Sequence, residues 1–468
     1  MNTAEITIYK FAGNDVRAVI DPEASNAQDT GIMRGDTLNL TFKLAQFVGF
    51  QIGDYCKLDG LTYRINRDVE FVKTFKRDFS YTMTMEGPYH QLSRPYYFTY
   101  DSHNELTEGT FPLTGRPIDF VTLAVKNMNR LFPTENWQVG SVLDGDYQTI
   151  EFDGQNCLEA LTKVAESYQT EFTVESNKIN LILSQPNSGI TLEYGKGKAL
   201  WSIERKNADV SKGIFTRLYV YGSSKNLGDN YRNGAQRLRM PDKLYLDKNV
   251  NLFGLYEKTV KFDGSDNLAE IFPTRTGVVT AVGDITTFTD DTMDFDVNLY
   301  PLPNGDKAKV TFNTGLLAGY TFEIGSYNNV TKTFVIVSST TQTQSVPSEA
   351  LKPAVGDEYV LVDMLMPDAY YTDAEHRLQV AGQKYLDDNG PAKFTFTVAC
   401  NPVYFRDNSI RIKNGSSLTL VMTEANIQMQ IRVVGFTRNL RNRNLYTSLT
   451  LANTVLPQTP IVKLFNKI

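Results

Sequence analysis

The side chains best suited to acid–base chemistry are scarce in this sequence. Only three histidines occur, His90, His103 and His376, and none of them stands in an HExxH motif. A GxSxG nucleophile motif is also missing. A catalytic triad could still be assembled from distant positions, but no pattern favours one. The sequence therefore predicts no catalytic residue, no cofactor-binding residue and no metal ligand, and we expect a protein that is not an enzyme and needs no cofactor.

An acidic run at residues 290–298 gives one hint of a cation site. Asp294, Asp296 and Asn298 match the first three ligand positions of a calcium-binding loop. The match fails at the turn glycine, which is Leu299 here, and at the twelfth position, which is Gly305 instead of a bidentate glutamate. An acidic hairpin edge, whose charges discourage strand pairing between molecules, is the favoured interpretation, with adventitious cation binding as the alternative.

Two further patterns have a chemical and a structural interpretation. Residues 195–198 (Gly-Lys-Gly-Lys) lack the third glycine of a dinucleotide-binding loop and precede β-like sequence, so they predict a turn. The aromatic runs 96–98 and 370–371 have side chains that could stack on sugars. Packing in a core or an interface is the favoured interpretation for them.

Length and composition limit the class of protein. A chain of 468 residues allows about three or four domains. The net charge of -6 argues against a protein whose main task is to bind phosphate backbones, and no apolar run is long enough to span a membrane. We see no signal peptide in residues 1–10. Three widely separated cysteines predict buried, reduced thiols in a protein made in the cytosol: Cys56, Cys157 and Cys400.

Alternation of apolar and polar residues dominates the chain and predicts half-buried β-strands. The clearest runs are 36–44, 80–85, 218–221, 394–398, 418–421 and 446–451. Helical spacing is confined to residues 117–131, about 156–168 and about 372–388, the last with a capping box of Thr372 and Glu375. Residues 170–183 read as a hairpin. The predicted fold class is mainly β with an α+β part.

These signals predict a multidomain chain with β units at both ends. The first β unit covers residues 1–98, an α+β domain covers 99–200, and strands resume in 201–240 and again in 391–468. An inserted β-rich domain that ends in a helix covers 241–390. Residues 275–373 carry 13 acidic and 5 basic side chains, whereas 403–468 carry 2 and 9. This asymmetry suggests head-to-tail docking of copies, with solvated surfaces as the alternative.

An internal repeat supports the relation between the two ends. Each copy has an upstream glycine, a strand with an arginine near its start, a polar basic turn and a Tyr-Thr strand. The first copy comprises Gly53, 63–66, 71–72, Phe75, Arg77 and 81–85, and it runs to Gly87. The second comprises Gly415, 431–434, 436–437, Arg441, Arg443 and 446–451, and it runs to Asn453. Duplicated barrel units are the favoured interpretation, and chance β alternation is the alternative.

The order of segments resembles the tail-tip and baseplate hub proteins of tailed bacteriophages, including the N-terminal part of tail-associated lysins. The resemblance extends over nearly the whole chain. It rests on residues 81–87, 119–123, 156–166, 200–205, 216–222, 315–323, 355–359, 366–370 and 374–378.

The resemblance implies two related β-barrel domains, one of residues 1–98 and one that combines residues 201–240 with 391–468. It also implies a homotrimer in which six such barrels form a ring around a channel. Such a ring joins the sixfold tail tube to a threefold tip. The implied partners are other copies of the chain, tail-tube or distal tail proteins, spike, fibre or lysin proteins, and the tape-measure protein or DNA in the channel. The implied location is the tail tip of a virion that is assembled in the bacterial cytoplasm.

One feature of many relatives has no counterpart here. Their C-terminal peptidase or muralytic domain is not matched, since the barrel-like strands end near Asn453 and only residues 454–468 follow. A wall-degrading role is therefore in doubt. A tail-associated peptidase or glycosidase and a carbohydrate-binding adhesin remain alternatives, and a contractile injection system without a genome is a related one.

Overall fold

The computed structural model describes residues 5–452 except 12, 74–77, 102, 176, 184–185, 208–213, 266–267, 342–343 and 391–393. Phe75, Arg77, Asn453 and residues 454–468 therefore lie outside the described residues. Of the described residues, 40% lie in strands and 16% in helices, which confirms the prediction of a mainly β protein.

The N-terminal strands follow the predicted alternation. In β4, Leu38, Leu40 and Phe42 are buried, and Leu40 lies opposite Met83 of β8, so one face of this pair forms a core. The strands are β1 (Ile6–Tyr9), β2 (Val16–Ile20), β3 (Ala27–Gly31), β4 (Gly35–Leu44), β5 (Tyr55–Leu58), β6 (Leu61–Ile65), β7 (Glu70–Lys73) and β8 (Phe79–Glu86).

The next segment contains the two helices predicted first. Pro117 opens α2, where its missing N–H costs no hydrogen bond, and Asn156 caps α3 together with Glu159. The elements are α1 (Pro88–Gln91), β9 (Thr110–Gly115), α2 (Pro117–Leu131), β10 (Gln138–Val142), β11 (Gln148–Asp153), α3 (Cys157–Ser167), β12 (Phe172–Glu175) and β13 (Lys178–Leu181). The antiparallel pair β12–β13 confirms the predicted hairpin.

The middle of the chain holds short strands and one long helix. The elements are β14 (Asn187–Glu193), β15 (Leu200–Asn207), β16 (Arg217–Gly222), β17 (Tyr245–Asp247), α4 (Val250–Phe253), β18 (Glu257–Phe262), β19 (Thr276–Val278), β20 (Ala281–Asp284), β21 (Thr287–Thr289), β22 (Lys309–Phe312), β23 (Thr321–Asn328), β24 (Thr333–Ile336), β25 (Ser339–Thr341), β26 (Gln344–Val346), β27 (Glu358–Val362) and α5 (Asp368–Asn389). The sheet β19-β27-β22-β23-β24-β21-β20 surrounds a core of its own.

The predicted start of the long helix is wrong. α5 begins after Pro367, and Thr372 lies inside it, where its hydroxyl donates to the carbonyl of Asp368. Glu375 also lies inside the helix, and its carboxylate pairs with Arg232 at 2.6 Å instead of capping a helix end. None of the described helices is both long and apolar enough to cross a membrane.

The last elements return to the first sheet. They are β28 (Phe394–Cys400), α6 (Pro402–Asp407), β29 (Ser417–Met422), β30 (Ile427–Asn439) and β31 (Tyr446–Ala452), with two short 3-10 helices at Val297–Leu299 and Thr423–Ala425. One sheet of 14 strands runs β15-β28-β31-β30-β3-β4-β8-β6-β5-β1-β2, with β29 beside β30, β14 beside β29 and β7 beside β8.

The prediction of two closed barrels is therefore wrong, because no sheet of the described residues closes on itself. The reason lies in β3, which pairs with β4 on one side and with β30 on the other. A strand edge that pairs with the opposite end of the chain cannot close a barrel within its own unit. The two ends form one open sheet instead.

Residues 201–240 were expected to join residues 391–468 in one domain, and the strand pairing differs from this expectation. β15 pairs with β28, but β16 pairs with β17 and β18 in a separate three-stranded sheet that packs against α5. The division of the chain into four domains remains a prediction.

Candidate functional site

The structure places the three histidines on three different elements. His90 belongs to the short helix α1 and is largely buried, whereas His103 in a loop and His376 on α5 are exposed. Burial lowers the pKa of His90, and nearby Glu86 opposes this shift. Among the described residues, no group of three or more His, Cys, Asp and Glu side chains could hold a metal ion.

The acidic run is used for internal bonds. Asp290 is fully buried and accepts hydrogen bonds from Arg275 at 2.7 Å and from Tyr359 at 2.8 Å. Burial acts to raise the pKa of Asp290, but hydrogen bonds from Thr292, Arg275 and Tyr359 outweigh it and lower the pKa. Asp294 pairs with Arg275 at 3.0 Å. Arg275 therefore pairs with two carboxylates of this run.

The rest of this run does not form the predicted hairpin edge. It lies in a loop after β21, where Asp296 caps the 3-10 helix by accepting the N–H of Asn298. The interpretation as an acidic hairpin edge is wrong because these carboxylates lie in a loop. They accept backbone N–H groups of that loop or pair with Arg275, and they do not line a strand.

The remaining chemical patterns have structural roles. Residues 195–198 form a turn in which Lys198 pairs with Glu193 at 2.9 Å. Tyr97 is buried and donates to the carbonyl of Phe120, while Tyr370 donates to Asp294. The three cysteines are free and buried, and burial raises the pKa of each to about 12.

The internal repeat has the same backbone geometry at both ends of the chain. The N–H of Gly53 donates to the carbonyl of Ile65 at 2.7 Å, and the Ile65 N–H returns a bond of 2.9 Å to the residue after Gly53. Gly415 and Val433 form the equivalent two bonds, both of 2.9 Å. The φ angles of Gly53 and Gly415 are +96° and +79°, a region that favours glycine. The two glycines therefore mark equivalent turns.

The tyrosines of the two copies are also equivalent. Tyr81 at the start of β8 and Tyr446 at the start of β31 are both buried to 1% exposure. Each phenolic oxygen accepts a backbone N–H from a preceding loop, from Val48 at 2.8 Å and from Ile412 at 3.2 Å respectively. The repeat is thus a repeat of contacts as well as of residue types.

The arginine of the first strand in each copy, Arg64 and Arg432, binds the α+β segment. Arg64 lies immediately before Ile65 and pairs with Glu135 at 2.8 Å, with about 18% of its side chain exposed. Arg432 lies immediately before Val433 and pairs with Glu171 at 2.5 Å, with 4% exposed. Each end of the chain is therefore held to the segment between them by a charge-assisted bond from the same position of the repeat.

The two ends are also joined directly where β3 meets β30. Gly31 lies opposite Gly435, and a Cβ on Gly435 would stand 2.8 Å from the carbonyl oxygen of Thr30. Leu440, just beyond β30, is buried in the core of the N-terminal strands. The close backbone approach and the shared core hold the two ends together.

A polar network completes this junction. Arg438 donates to Gln28 at 2.5 Å and also pairs with Asp59, and Gln28 donates to Tyr63 at 2.8 Å. Burial raises the pKa of neighbouring Asp36, an effect that a hydrogen bond from Thr30 and the charge of Arg438 oppose. We name the contacts of β3 with β30, together with this network, the junction. It is a candidate structural site because its groups bind one another across the two ends of the chain.

Comparison with known proteins gives a fold match. No family model matches the chain, and no curated protein matches it in sequence. The crystal structure of prophage tail protein gp18 from Listeria monocytogenes EGD-e is similar, with a TM-score of 0.51, 9% identity, and 99% of this chain and 98% of that chain covered.

Two other solved structures are more distant. The 43 kDa tail protein of prophage MuSo2 from Shewanella oneidensis has a TM-score of 0.47 at 9% identity, over 96% of this chain and 97% of that one. A tail protein from Neisseria meningitidis MC58 has a TM-score of 0.46 at 11% identity, over the same shares. The match to the Listeria protein shows that this chain has the fold of a prophage tail protein and confirms the predicted resemblance at that level.

Proposed function

We propose that this protein is a structural subunit of a phage or prophage tail, and specifically of the hub at the tail tip or baseplate. The fold shared with the Listeria prophage tail protein supports the tail assignment. The observation that carries the hub assignment is the repeat, in which Gly53 and Gly415 make the same backbone bonds and Arg64 and Arg432 make the same type of ion pair.

The proposed mechanism is geometric. Three chains, each with two repeat copies, present six similar surfaces, so a homotrimer matches a sixfold tail tube on one side and a threefold tip on the other. This works only if the two copies of one chain keep a fixed relative position. The junction and the two arginine bridges supply that rigidity, since they hold both copies to each other and to the α+β segment.

The proposed partners follow from this geometry. Tail-tube or distal tail proteins bind the sixfold side, spike, fibre or lysin proteins bind the tip, and the tape-measure protein or DNA passes the central channel. The proposed units are residues 1–98, 99–200, 201–240 with 391–468, and 241–390. The proposed location is the tail tip of the virion, after assembly in the bacterial cytoplasm.

The oligomeric state tests the proposal. We expect light scattering coupled to size-exclusion chromatography to give three times the chain mass of 52.7 kDa, and negative-stain averages to show a threefold ring with six outer densities. A monomer or dimer at every concentration contradicts the trimer.

We also propose that the chain has no catalytic activity of its own, since the histidines, carboxylates and thiols described above are dispersed or engaged in structural bonds. Incubation with purified cell wall is expected to release no soluble fragments. Release of muropeptides or sugars identifies an enzyme instead, and binding on a glycan array identifies an adhesin.

A further inference from the structure

Two strands in the described part of the chain, β7 and β15, each have one unpaired edge. β15 is the last strand of the 14-stranded sheet and pairs with β28, and β7 pairs with β8. No described strand lies on the other side of either. A free edge presents N–H and C=O groups to which another strand can add. The edge of β7 is also apolar, because Phe71 and Val72 are 49% and 59% exposed.

The order of strands shows that β15 is the counterpart of β3. In the first repeat copy β3 pairs with β4, and β4 pairs with β8. In the second copy β15 pairs with β28, and β28 pairs with β31. β31 corresponds to β8, because Val433 lies opposite Leu451 in the same way that Ile65 lies opposite Met85. The free edge of β15 therefore corresponds to the edge of β3 that forms the junction.

In the same way, β7 is the counterpart of the second half of β30. Phe71 of β7 lies opposite Tyr81 of β8, and Arg438 of β30 lies opposite Tyr446 of β31. Since Tyr81 and Tyr446 are equivalent residues of the repeat, Phe71 corresponds to Arg438. This half of β30 is the part that accepts β3 at the junction. The two edges that meet within the chain thus have two counterparts that do not meet within it.

We propose that β15 of one chain pairs with β7 of a neighbouring chain, in the way that β3 pairs with β30 within a chain. The junction joins the first repeat copy to the second, and the proposed contact joins the second copy to the first copy of the neighbour. A contact of this head-to-tail kind forms a closed ring when its rotation divides a full turn. The number of three chains rests on the proposed function, whereas the pairing of these edges rests on the strand order.

The register of the junction carries over to the proposed contact. Two rows of paired residues each end on a member of the equivalent pair Met85 and Leu451. The rows are Gln28, Leu38 and Met85 in the first copy and Arg205, Phe396 and Leu451 in the second. Arg205 therefore corresponds to Gln28, which lies opposite Arg438 at the junction. In the proposed antiparallel contact Arg205 then lies opposite Phe71 of the neighbouring chain.

The side chains that this register brings together are complementary. Lys206 lies opposite Glu70 of the neighbouring chain, and both are exposed. Their ion pair takes the place of the hydrogen bond that Thr437 donates to Asp29 at the junction. Beside them, the guanidinium of Arg205 meets the half-exposed ring of Phe71, a favourable cation–π arrangement. Charge and polarity therefore favour a second copy of this chain as the occupant of both edges.

Disulfide cross-linking between chains tests the proposal, and the junction indicates which positions to use. Residues opposite each other in a non-hydrogen-bonded antiparallel pair have Cα atoms about 4.5 Å apart, within the range of a disulfide. Ala27 and Asn439 form such a pair, since the N–H of Asn439 donates to Leu445 and not to β3. Their counterparts in the proposed contact are Glu204 and Val72.

The variant Val72→Cys with Glu204→Cys is compared with the control Val72→Cys with Arg205→Cys, both in the full chain. Residues 204 and 205 are both exposed, but successive side chains of a strand point to opposite faces. The three native cysteines are buried and should stay unreactive, which confirms folding. After oxidation we expect about tenfold more cross-linked product on a non-reducing gel for the first variant than for the control. A mixture of the single variants Val72→Cys and Glu204→Cys should give a product of two chains.

The outcomes separate this contact from the proposed trimer. A disulfide that stays within one chain, or equal yields from the variant and its control, overturns the strand pairing. A trimer in light scattering without the cross-link between positions 72 and 204 leaves the proposed function standing and overturns this contact. Cross-linked products that continue beyond three chains support the contact and contradict the trimer.

Charge reversal tests the register separately. Glu70→Lys places two lysines opposite each other and should raise the concentration at which the assembly half-dissociates by about fivefold. Glu70→Lys combined with Lys206→Glu restores opposite charges and should return this concentration to near that of the unmodified chain. Light scattering over a dilution series measures it. A combined variant that associates no better than Glu70→Lys alone overturns the proposed register.

Discussion

The bridge between Arg432 and Glu171 offers the sharpest test of how the ends of the chain are held. The perturbation is Arg432→Met, which keeps an unbranched apolar side chain and removes the charge. Glu171 then remains buried without its partner, because the two side chains are only 4% and 2% exposed. Arg64→Met is the matched control, since Arg64 occupies the same position of the repeat but its bridge to Glu135 is 18% and 17% exposed.

The losses in the free energy of unfolding caused by Arg432→Met and by Arg64→Met should differ by several-fold. Removing one partner of a buried ion pair costs about 3–5 kcal/mol, because an uncompensated charge remains inside the protein. A partly exposed pair contributes about 1 kcal/mol or less, because water screens its charges. The double variant Arg432→Met with Glu171→Met removes both charges, and its cost should fall below about 2 kcal/mol.

Urea unfolding followed by tryptophan fluorescence measures these differences. The chain has two tryptophans, and Trp137 lies in the same core as Phe172, the neighbour of Glu171. A Trp201→Phe background removes the exposed second tryptophan and leaves Trp137 as the reporter. The reasoning is refuted if Arg432→Met costs no more than Arg64→Met, or if the double variant is no more stable than Arg432→Met alone.

Three further perturbations test other parts of the structure. Gly435→Ala places a Cβ 2.8 Å from the Thr30 carbonyl oxygen and should lower the free energy of unfolding in urea by about 1–3 kcal/mol. Gly31→Ala, whose Cβ meets only the flexible Arg34 side chain, should lower it less, and equal losses contradict the close approach at the junction. Because burial lowers the pKa of His90 in the folded chain, the unfolded chain binds the proton more tightly, and stability should fall as the pH drops from about 6.5 through the folded-state pKa. The urea midpoint should therefore be lower at about pH 5.5 than at about pH 7.5, and His90→Gln should reduce this difference. An unchanged difference refutes the assignment to His90. Asp290→Asn should lower the free energy of unfolding by about 3 kcal/mol, because it removes the buried carboxylate that pairs with Arg275. Calcium should not change the melting temperature of the unmodified chain, and a rise with calcium shows that the acidic run binds the ion.

Local patterns could be predicted from the sequence because their causes are local. The alternation of 36–44 and 446–451 reflects the side-chain period of a strand, and α2 and α3 carry their own start signals in Pro117 and Asn156. The repeat could also be found, because a turn with positive φ requires glycine at Gly53 and Gly415 wherever the rest of the chain lies.

The candidate site could not be predicted in the same way, because its parts come from distant positions. Arg64 and Arg432 stood out as repeat positions, but nothing near Glu135 or Glu171 marks those two glutamates among 53 acidic residues. The acidic run was wrongly interpreted as a hairpin edge because the arginine that neutralises Asp290 acts from a preceding segment, through a contact that depends on the folded chain.

By itself, then, the sequence determined the mainly β character, the early helices and the duplicated motif, since backbone geometry and side-chain periodicity act over a few residues. Only the tertiary structure decided that β3 pairs with β30 and that two expected barrels become one open sheet. A strand edge presents the same N–H and C=O groups to every possible neighbour. The choice among neighbours is made by packing and by ion pairs such as that of buried Arg438 with Asp59, which meet only after the chain has folded.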